Sequence, residues 1–380
     1  MFLKFKPEIK YNITLQSPSK SIWSTFKKAY LIKKNFKKFW KDFDKSKIDK
    51  ELIEITNKFL NSESSDWVSK FWNHCQINHY KSIKNLDSNQ LIEKNIMDYA
   101  RNVFFKKNDL NKVCQEININ NEIKYDLFFK HKNLDYFDSI SYNLATICIY
   151  LRITEFVNKY YKLINKNIYN NYSYNINIDD KILNQQLLFS LIELEKIEKI
   201  INLNNDKLNI LEFGAGYGRT ANLFLSLSKN IKYVIADIPP AIQISYNELK
   251  KNYPNKKLFY AFEIKDNITM RKALNENDVI FIFPHQLKFF DDKYFDLSLM
   301  IGITLEMEPK DVKRYMSFVN KLSKALYMKV FKYAGLPYSF YHVYRHNVRK
   351  DYFIYDKWKQ LYLDEGLETD IVSHAGYLIT

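Results

Sequence analysis

The sequence has 380 residues, of which 46% are hydrophobic and 27% are charged, and its formal net charge is +15. This length and composition predict a folded chain with a large buried core and room for two domains, and they exclude a mainly disordered protein. The three cysteines, Cys75, Cys114 and Cys148, match neither a disulfide framework nor a metal-binding spacing. We therefore expect a reduced protein without a bound metal.

The distribution of glycine separates the two halves of the chain. Only 7 glycines occur, all at or after position 214, whereas average usage would give roughly 26. Residues 19–213 also lack proline, so their turns depend on Asn, Asp and Ser. This composition excludes a turn-dense β-sandwich, and we predict a mainly helical domain over residues 1–175.

The positive charge has two interpretations. It suits an anionic partner such as nucleic acid or a membrane surface, but the lysines are spread along the chain beside many Asn, Ile, Tyr and Phe residues. An AT-rich genome produces this composition, and we expect no nucleic-acid partner. Residues 22–43 form a basic amphipathic helical pattern whose aromatic stripe we assign to the core, with weak peripheral membrane contact as the alternative.

Apolar residues at three- and four-residue steps predict further helices over 51–60, 90–105, 137–165 and 179–202. Asp179 and Asp180 are the expected N-caps of the last one. His74 and His79 lie five residues apart, a turn of about 500° on a helix, which is not the spacing of a helical metal pair. We interpret both histidines as structural. The opening residues lack the apolar stretch of a signal peptide and no apolar run could span a bilayer, so we expect a cytoplasmic protein.

From Leu208 onward, short apolar strands alternate with helices. The predicted strands are 208–213, 231–237, 257–262, 279–283, 295–301 and 325–331, and the predicted helices are 219–229, 239–253 and 309–324. This alternation predicts an α/β fold, with a Rossmann-like, doubly wound parallel sheet over residues 176–380. A final helix over 351–366 and two strands over 367–374 and 375–380 are expected to end the chain, closing as a hairpin at the sheet edge.

A ligand site is predicted where the first strand of this sheet turns into its helix. Gly214, Gly216 and Gly218 occupy that turn, where the backbone needs positive φ and a ligand needs a close approach. Glu212 precedes the glycines, and Asp237 ends the second strand, where its carboxylate could accept both hydroxyls of a ribose. Nicotinamide-dinucleotide sites use G-x-G-x-x-G, whereas E-x-G-x-G-x-G suits S-adenosylmethionine, whose sulfonium charge Glu212 would complement.

Five segments carry a family resemblance: ILEFGAGYGRTA (210–221), VIADIPPA (234–241), FPHQL (283–287), FDLSLMIGITLEM (295–307) and LYMKVF (326–331). They resemble the motifs of class I S-adenosylmethionine-dependent methyltransferases with a seven-stranded sheet, and in detail those of sugar O-methyltransferases. The resemblance covers roughly residues 180–335. It implies S-adenosyl-L-methionine as cofactor, with Glu212, the three glycines and Asp237 as its contacts. His285 and Gln286 match positions that flank the adenine, and because no acid stands there, Gln286 is the expected adenine contact.

For catalysis, Glu306 occupies a position where related enzymes often carry a histidine, and we predict it to be the general base. It could instead orient its loop or cap the helix that begins near Pro309. His285, His342 and His346 are the other candidate bases. The expected function is O-methylation of a saccharide or nucleotide-linked sugar. The alternatives are an NAD-dependent oxidoreductase and a non-catalytic membrane- or nucleic-acid-binding module with a degenerate cofactor fold.

Overall fold

The computed structural model describes residues 35–83, 130–131, 134–164, 174–204, 207–228, 230–331, 333–334, 344–345, 347–366 and 372–380. The predicted helix over 90–105, most of the basic segment 22–43, and the candidate bases His342 and His346 lie outside these residues. Of the basic segment, the described part is helical and carries Phe36 and Trp40 in the core, as its aromatic stripe predicts.

The described part of the amino-terminal half is helical, as its lack of glycine and proline predicts. Its elements are α1 (Phe36–Asp42), α2 (Lys50–Leu60), a 3₁₀ helix (Glu63–Trp67), α3 (Lys70–Ile83), α4 (Tyr136–Arg152), α5 (Thr154–Tyr160), the hairpin β1 (Ile176–Ile178) and β2 (Lys181–Leu183), and α6 (Gln185–Glu198). Aspartates begin two of these helices, because the side chains of Asp49 and Asp135 accept hydrogen bonds from the first-turn amides. None of the described helices is long and apolar enough to cross a membrane.

The expected N-caps of the helix predicted over 179–202 are wrong. Asp179 and Asp180 have φ of 50° and 59° and form the turn between β1 and β2. Aspartate tolerates this left-handed conformation better than most residues, which explains how a hairpin forms here without glycine. The N-cap of α6 is Asn184, whose side chain accepts a hydrogen bond from the amide of Leu187.

In its described residues, the carboxyl-terminal half builds an eight-stranded sheet, one strand more than the family resemblance implies. Its strands are β3 (Leu208–Phe213), β4 (Ile231–Ala236), β5 (Leu258–Tyr260), β6 (Val279–Ile282), β7 (Leu297–Ile301), β8 (Ala325–Phe331), β11 (Lys359–Glu365) and β12 (Val372–Leu378), while β9 (Tyr333–Ala334) and β10 (Tyr344–Arg345) form a separate ribbon. The order across the sheet is β11-β12-β8-β7-β3-β4-β6-β5. The six strands from β8 to β5 are parallel, and β12 is antiparallel to both neighbours. This is the predicted Rossmann-like α/β sheet.

Helices connect the parallel strands. They are α7 (Arg219–Leu227), α8 (Ala241–Asn252), α9 (Asn267–Glu276) and α10 (Pro309–Leu322), with 3₁₀ helices at Pro284–Phe289 and Thr304–Glu306. The short α11 (Val348–Asp351) precedes the antiparallel edge strands. The carboxyl ends of β3, β4 and β7 therefore all open on the same edge of the sheet, where loops precede the next helices.

The predicted helix over 351–366 is wrong. Helix α11 ends at Asp351, and residues 359–365 form the edge strand β11, whose side chains are exposed or half-buried. Where the last two predicted strands are described, over 372–378, they form one continuous strand, β12, and the ring of Tyr362 packs against its backbone at Gly376. A Cβ at Gly376 would lie 2.5 Å from that ring. The hairpin at the sheet edge is formed instead by β11 and β12, which pair antiparallel.

The amino-terminal helices and the sheet share one hydrophobic cluster. It joins Phe36 and Tyr80 of the helical half to Ile210 and Tyr327 of the sheet, all nearly fully buried. A second cluster, around Met316 and Trp358, covers the opposite face of the sheet. The domain boundary near residue 175 stays a prediction.

Candidate functional site

A cavity of about 540 Å³ lies where β3, β4, β7 and β8 end. Its floor comes from the loops after these strands, which contribute Glu212, Gly214, Gly216, Asp237, Ile238, Gly302, Ile303 and Glu306. Its roof, which we define as residues 64–82 of the 3₁₀ helix and α3, contributes Ser64, Trp67, Val68, Ser69, Phe71, Trp72, Cys75, Asn78, His79 and Ser82. Sheet loops and the helical half therefore build one site together.

The glycine loop has the backbone conformation that its sequence predicts. Gly214, Gly216 and Gly218 have φ of 64°, 61° and 83°, a region that strains other residues. Two of these glycines meet different surroundings. A Cβ at Gly214 would lie 2.6 Å from Cγ2 of Ile303, whereas one at Gly216 would meet nothing within 4 Å and would project into open space. Gly214 therefore serves packing, and Gly216 leaves room in the cavity.

Asp237 is buried at the end of β4 and is bonded to the glycine loop. Its Oδ2 accepts a hydrogen bond from the amide of Gly216 at 3.2 Å, and its Oδ1 accepts one from Ile238 at 2.7 Å. Burial, with a smaller contribution from the Glu306 carboxylate, raises the pKa of Asp237 to about 7, although the two backbone hydrogen bonds act to lower it. A carboxylate can accept about four hydrogen bonds, so Asp237 keeps capacity for hydroxyl groups of a ligand.

Glu212, the last polar residue of β3, lines the floor and is fully buried. Its Oε2 accepts a hydrogen bond from the hydroxyl of Tyr233 at 2.8 Å. Burial raises the pKa of Glu212 to about 7, while this hydrogen bond and the charge of Arg219 act in the opposite direction. A positive charge placed near it would favour the ionised form.

Gln286 does not reach the cavity. Its side chain is fully buried and bonded to backbone on both sides: the amide of Phe283 donates to Oε1 at 3.0 Å, and Nε2 donates to the carbonyls of Ala261 and Ile264 at 2.5 and 3.1 Å. The residue joins the loops after β5 and β6. Its assignment as an adenine contact stays a prediction that these bonds do not favour.

His285 also lies outside the cavity wall. Its backbone amide donates to Oγ of Ser64 at 2.8 Å, and its Nδ1 lies 2.9 Å from the same oxygen. Burial lowers the pKa of His285. The cavity is lined instead by its neighbour Pro284 and by Ser64, so His285 contributes to attaching the roof.

Glu306 lies in the cavity wall, at the end of the 3₁₀ helix that follows β7. Its carbonyl accepts a hydrogen bond from Oγ of Ser69 at 2.7 Å. Its carboxylate is close enough to raise the pKa of two cavity residues, Asp237 and Cys75, in each of which burial is the larger cause. It does not cap α10, because the N-cap of that helix is Glu308.

The sequence patterns do not predict that the roof lines the site. Phe71, Cys75, Asn78 and Ser82 recur at steps of three and four residues, so they share one face of α3, and this face lines the cavity. The available sequence signal for this face was the i, i+7 spacing of Trp72 and His79, which places both residues on the same side of the helix. His74, in contrast, is buried, and its Nε2 lies 2.9 Å from Nδ2 of Asn78, which agrees with its structural interpretation.

A buried charge cluster was also missed. Glu193 of α6 accepts hydrogen bonds on Oε1 from Nη2 of Arg219 at 2.9 Å and from Nζ of Lys329 at 3.0 Å. Both cations line the cavity. Although burial acts to raise it, the pKa of Glu193 is lowered, because these two positive charges stabilise its ionised form. Among the described residues, no group of three or more His, Cys, Asp or Glu side chains is arranged to hold a metal ion.

No protein-family model and no curated protein matches the chain. About half of it is similar to solved structures. These include a protein from Pyrococcus horikoshii OT3 (15% identity, 52% of this chain and 91% of that one, TM-score 0.36), the plantazolicin methyltransferase BamL (8%, 50% and 85%, 0.35) and the mitomycin 7-O-methyltransferase MmcR (10%, 51% and 57%, 0.34). These similarities are too low to assign a function.

Proposed function

We propose that this protein is an S-adenosylmethionine-dependent O-methyltransferase that acts on a sugar hydroxyl. The observation that supports it most is the link between Gly216 and Asp237. A glycine that leaves open space stands beside a buried carboxylate, at the strand ends where doubly wound sheets bind ligands. This pair offers a nucleoside both a close approach to the backbone and an acceptor for its hydroxyls.

The floor residues would hold the cofactor. Asp237 would accept the ribose hydroxyls, and Gly216 would let the ligand meet the backbone without a Cβ between them. Glu212 is buried beside this loop, where its carboxylate would complement a positive charge. When bound, S-adenosylmethionine supplies an activated methyl group for in-line transfer to an oxygen.

The roof would hold the acceptor. Trp67 and Trp72 offer flat apolar faces for a sugar ring, and Asn78, His79 and Ser82 offer polar groups for its hydroxyls. Glu306 lies in the wall between roof and floor, and would take the proton of the attacking hydroxyl. A positioned base of this kind typically contributes about 10² to 10⁴ in rate. The choice of a saccharide or nucleotide-linked sugar derives from the sequence resemblance, and a cytoplasmic location belongs to the same proposal.

Calorimetry with S-adenosylhomocysteine, S-adenosylmethionine and NAD⁺ tests the cofactor. We expect the two methionine-derived nucleosides to bind and NAD⁺ not to bind. Transfer of a labelled methyl group to a panel of saccharides and nucleotide sugars tests the acceptor. Binding of NAD⁺ alone would favour an oxidoreductase, and salt-sensitive binding to DNA or anionic vesicles without nucleoside binding would favour the non-catalytic module.

A further inference from the structure

The wall of the cavity beside β8 carries two cations on a single acid. Nη2 of Arg219 and Nζ of Lys329 both contact Oε1 of Glu193, so these two nitrogens lie within about 6 Å of each other. Their side chains are 13% and 14% exposed, and both face the cavity. One carboxylate or phosphate group can contact two cations at this separation.

Glu193 is the acid that both cations of this cluster contact. Buried charges are retained when they are paired, and here one carboxylate serves two cations. Glu212 also interacts with Arg219, but it already accepts a hydrogen bond from Tyr233, and its raised pKa of about 7 leaves it partly protonated at neutral pH. The cavity wall therefore carries two cations side by side, with Glu193 as the acid that both contact.

The position of Lys329 separates it from the nucleoside end of the site. Lys329 lies on β8, paired in register with Ile301 of β7, whereas Asp237 follows β4, three positions away across the sheet. Neighbouring strands are about 4.8 Å apart, which separates the two by roughly 14 Å. An anion at Arg219 and Lys329 would be either the far end of an extended cofactor or part of a second ligand.

We infer that Arg219 and Lys329 together form a binding site for a carboxylate group of a ligand in the cavity. This inference rests on the proposed function. The carboxylate has two sources, the amino-acid end of S-adenosylmethionine and an acidic acceptor such as a uronic acid. Both would be recognised by the same chemistry, a charge-assisted contact to a guanidinium and an ammonium group.

Lys329→Met tests the site, since it removes one cation and leaves the pair of Arg219 and Glu193 intact. Lys329→Arg is the charge-retaining rescue, and Lys272→Met, on the exposed face of α9, is the matched control. Lys329→Gln, which can still donate to Glu193, replaces the Met variant if that one does not fold. Two nucleosides are titrated by calorimetry. One is S-adenosylhomocysteine, and the other is 5′-methylthioadenosine, which lacks the amino-acid end.

If the cofactor supplies the carboxylate, Lys329→Met lowers the affinity for S-adenosylhomocysteine about ten- to hundredfold and changes the affinity for 5′-methylthioadenosine by less than about twofold. If the acceptor supplies the carboxylate, the variant binds both nucleosides with wild-type affinity. Glucuronate is then titrated onto the protein saturated with S-adenosylhomocysteine, and its affinity falls about ten- to hundredfold while that of glucose does not change. Wild-type affinities for all four ligands in the variant would overturn the inference. A wild-type protein that binds neither nucleoside would overturn the proposed function itself, and with it this inference.

Discussion

The backbone amide of Gly216 donates a hydrogen bond to Oδ2 of Asp237 at 3.2 Å. This bond joins the loop after β3 to the end of β4, the two neighbouring strands at the centre of the sheet. It also explains how a buried carboxylate is held in place before any ligand arrives. Three of the five predictions below depend on this pair.

Gly216→Val should abolish binding of S-adenosylhomocysteine, with at least a hundredfold loss of affinity. The new side chain would fill the open space beside the loop, in a backbone conformation with φ of 61°. Gly218→Ala is the matched control, because φ there is 83° but a Cβ would point toward Ser245 rather than the cavity. The control should lose about 1 to 2 kcal/mol of stability and keep its affinity. Calorimetry on both folded variants decides, and equal losses in the two would contradict this prediction.

Asp237→Asn should remove most of the pH dependence of ligand binding. Burial raises the pKa of Asp237 to about 7, so the wild-type carboxyl must lose its proton before it accepts hydroxyl groups as a carboxylate. Affinity for S-adenosylhomocysteine should therefore rise as the pH increases from 5.5 to 8 in the wild type, by up to about tenfold per unit below pH 7. The variant should show a flatter curve, with the remainder due to Glu212. A wild-type affinity independent of pH would refute this role.

The same substitution makes a prediction for the ligand-free protein. Between about pH 4 and 7 the native carboxyl keeps its proton while the unfolded one has lost it, so wild-type stability falls as the pH rises through this window. Asp237→Asn removes this cost. Relative to the wild type, the variant should gain up to about 4 kcal/mol between pH 4 and pH 8, measured by urea unfolding. A constant difference across that range would show that Asp237 is ionised when buried.

Glu306→Gln should lower turnover by about 10² to 10⁴ because the amide cannot accept the hydroxyl proton. Affinity for S-adenosylhomocysteine should stay within about threefold. Glu308→Gln is the control, since Glu308 is two residues away and does not line the cavity. Both are measured by methyl transfer to the best acceptor of the saccharide panel. Near-normal turnover in Glu306→Gln would exclude it as the base, and His79 in the roof would be the next residue to test.

Gln286→Leu should destabilise the protein without lowering its affinity for the cofactor. The change keeps the size of the side chain but leaves the amide of Phe283 and the carbonyls of Ala261 and Ile264 without its hydrogen bonds. We expect a loss of about 2 to 4 kcal/mol in the free energy of unfolding. Gln360→Leu, on the exposed edge strand β11, is the control. Normal stability with a large loss of S-adenosylhomocysteine affinity would instead support the adenine contact.

The sheet could be predicted from the sequence because its central strands are continuous apolar runs bounded by turn residues, as at 208–213 and 325–331. The edge strand β11 could not be predicted in this way, because it is half exposed and therefore lacks a continuous apolar run. Its strand conformation depends on pairing with β12. Glu212, Asp237 and Glu306 were predictable for a related reason: parallel strands place their carboxyl ends at one edge.

The remaining site residues come together only through distant packing. Glu193 lies in an apolar helix whose sequence shows no partner, and Arg219 and Lys329 reach it from a helix start and a strand end. The face of α3 that lines the cavity resembles any buried helix face, since Phe71 and Cys75 are ordinary core residues. Periodicity shows which residues share a face, but not which element that face will cover.

The roof is attached through backbone groups of the loops beneath it. Gln76 donates to the carbonyl of Pro239, Ser69 donates to that of Glu306, and Ser64 accepts from the amide of His285. Every peptide has these groups whatever its side chain. The loops can therefore change residues, and with them the preference for one sugar over another, without releasing the roof. Variants that alter acceptor choice are best sought in the loops and on the inner face of α3, with Ser64, Ser69 and Gln76 left untouched.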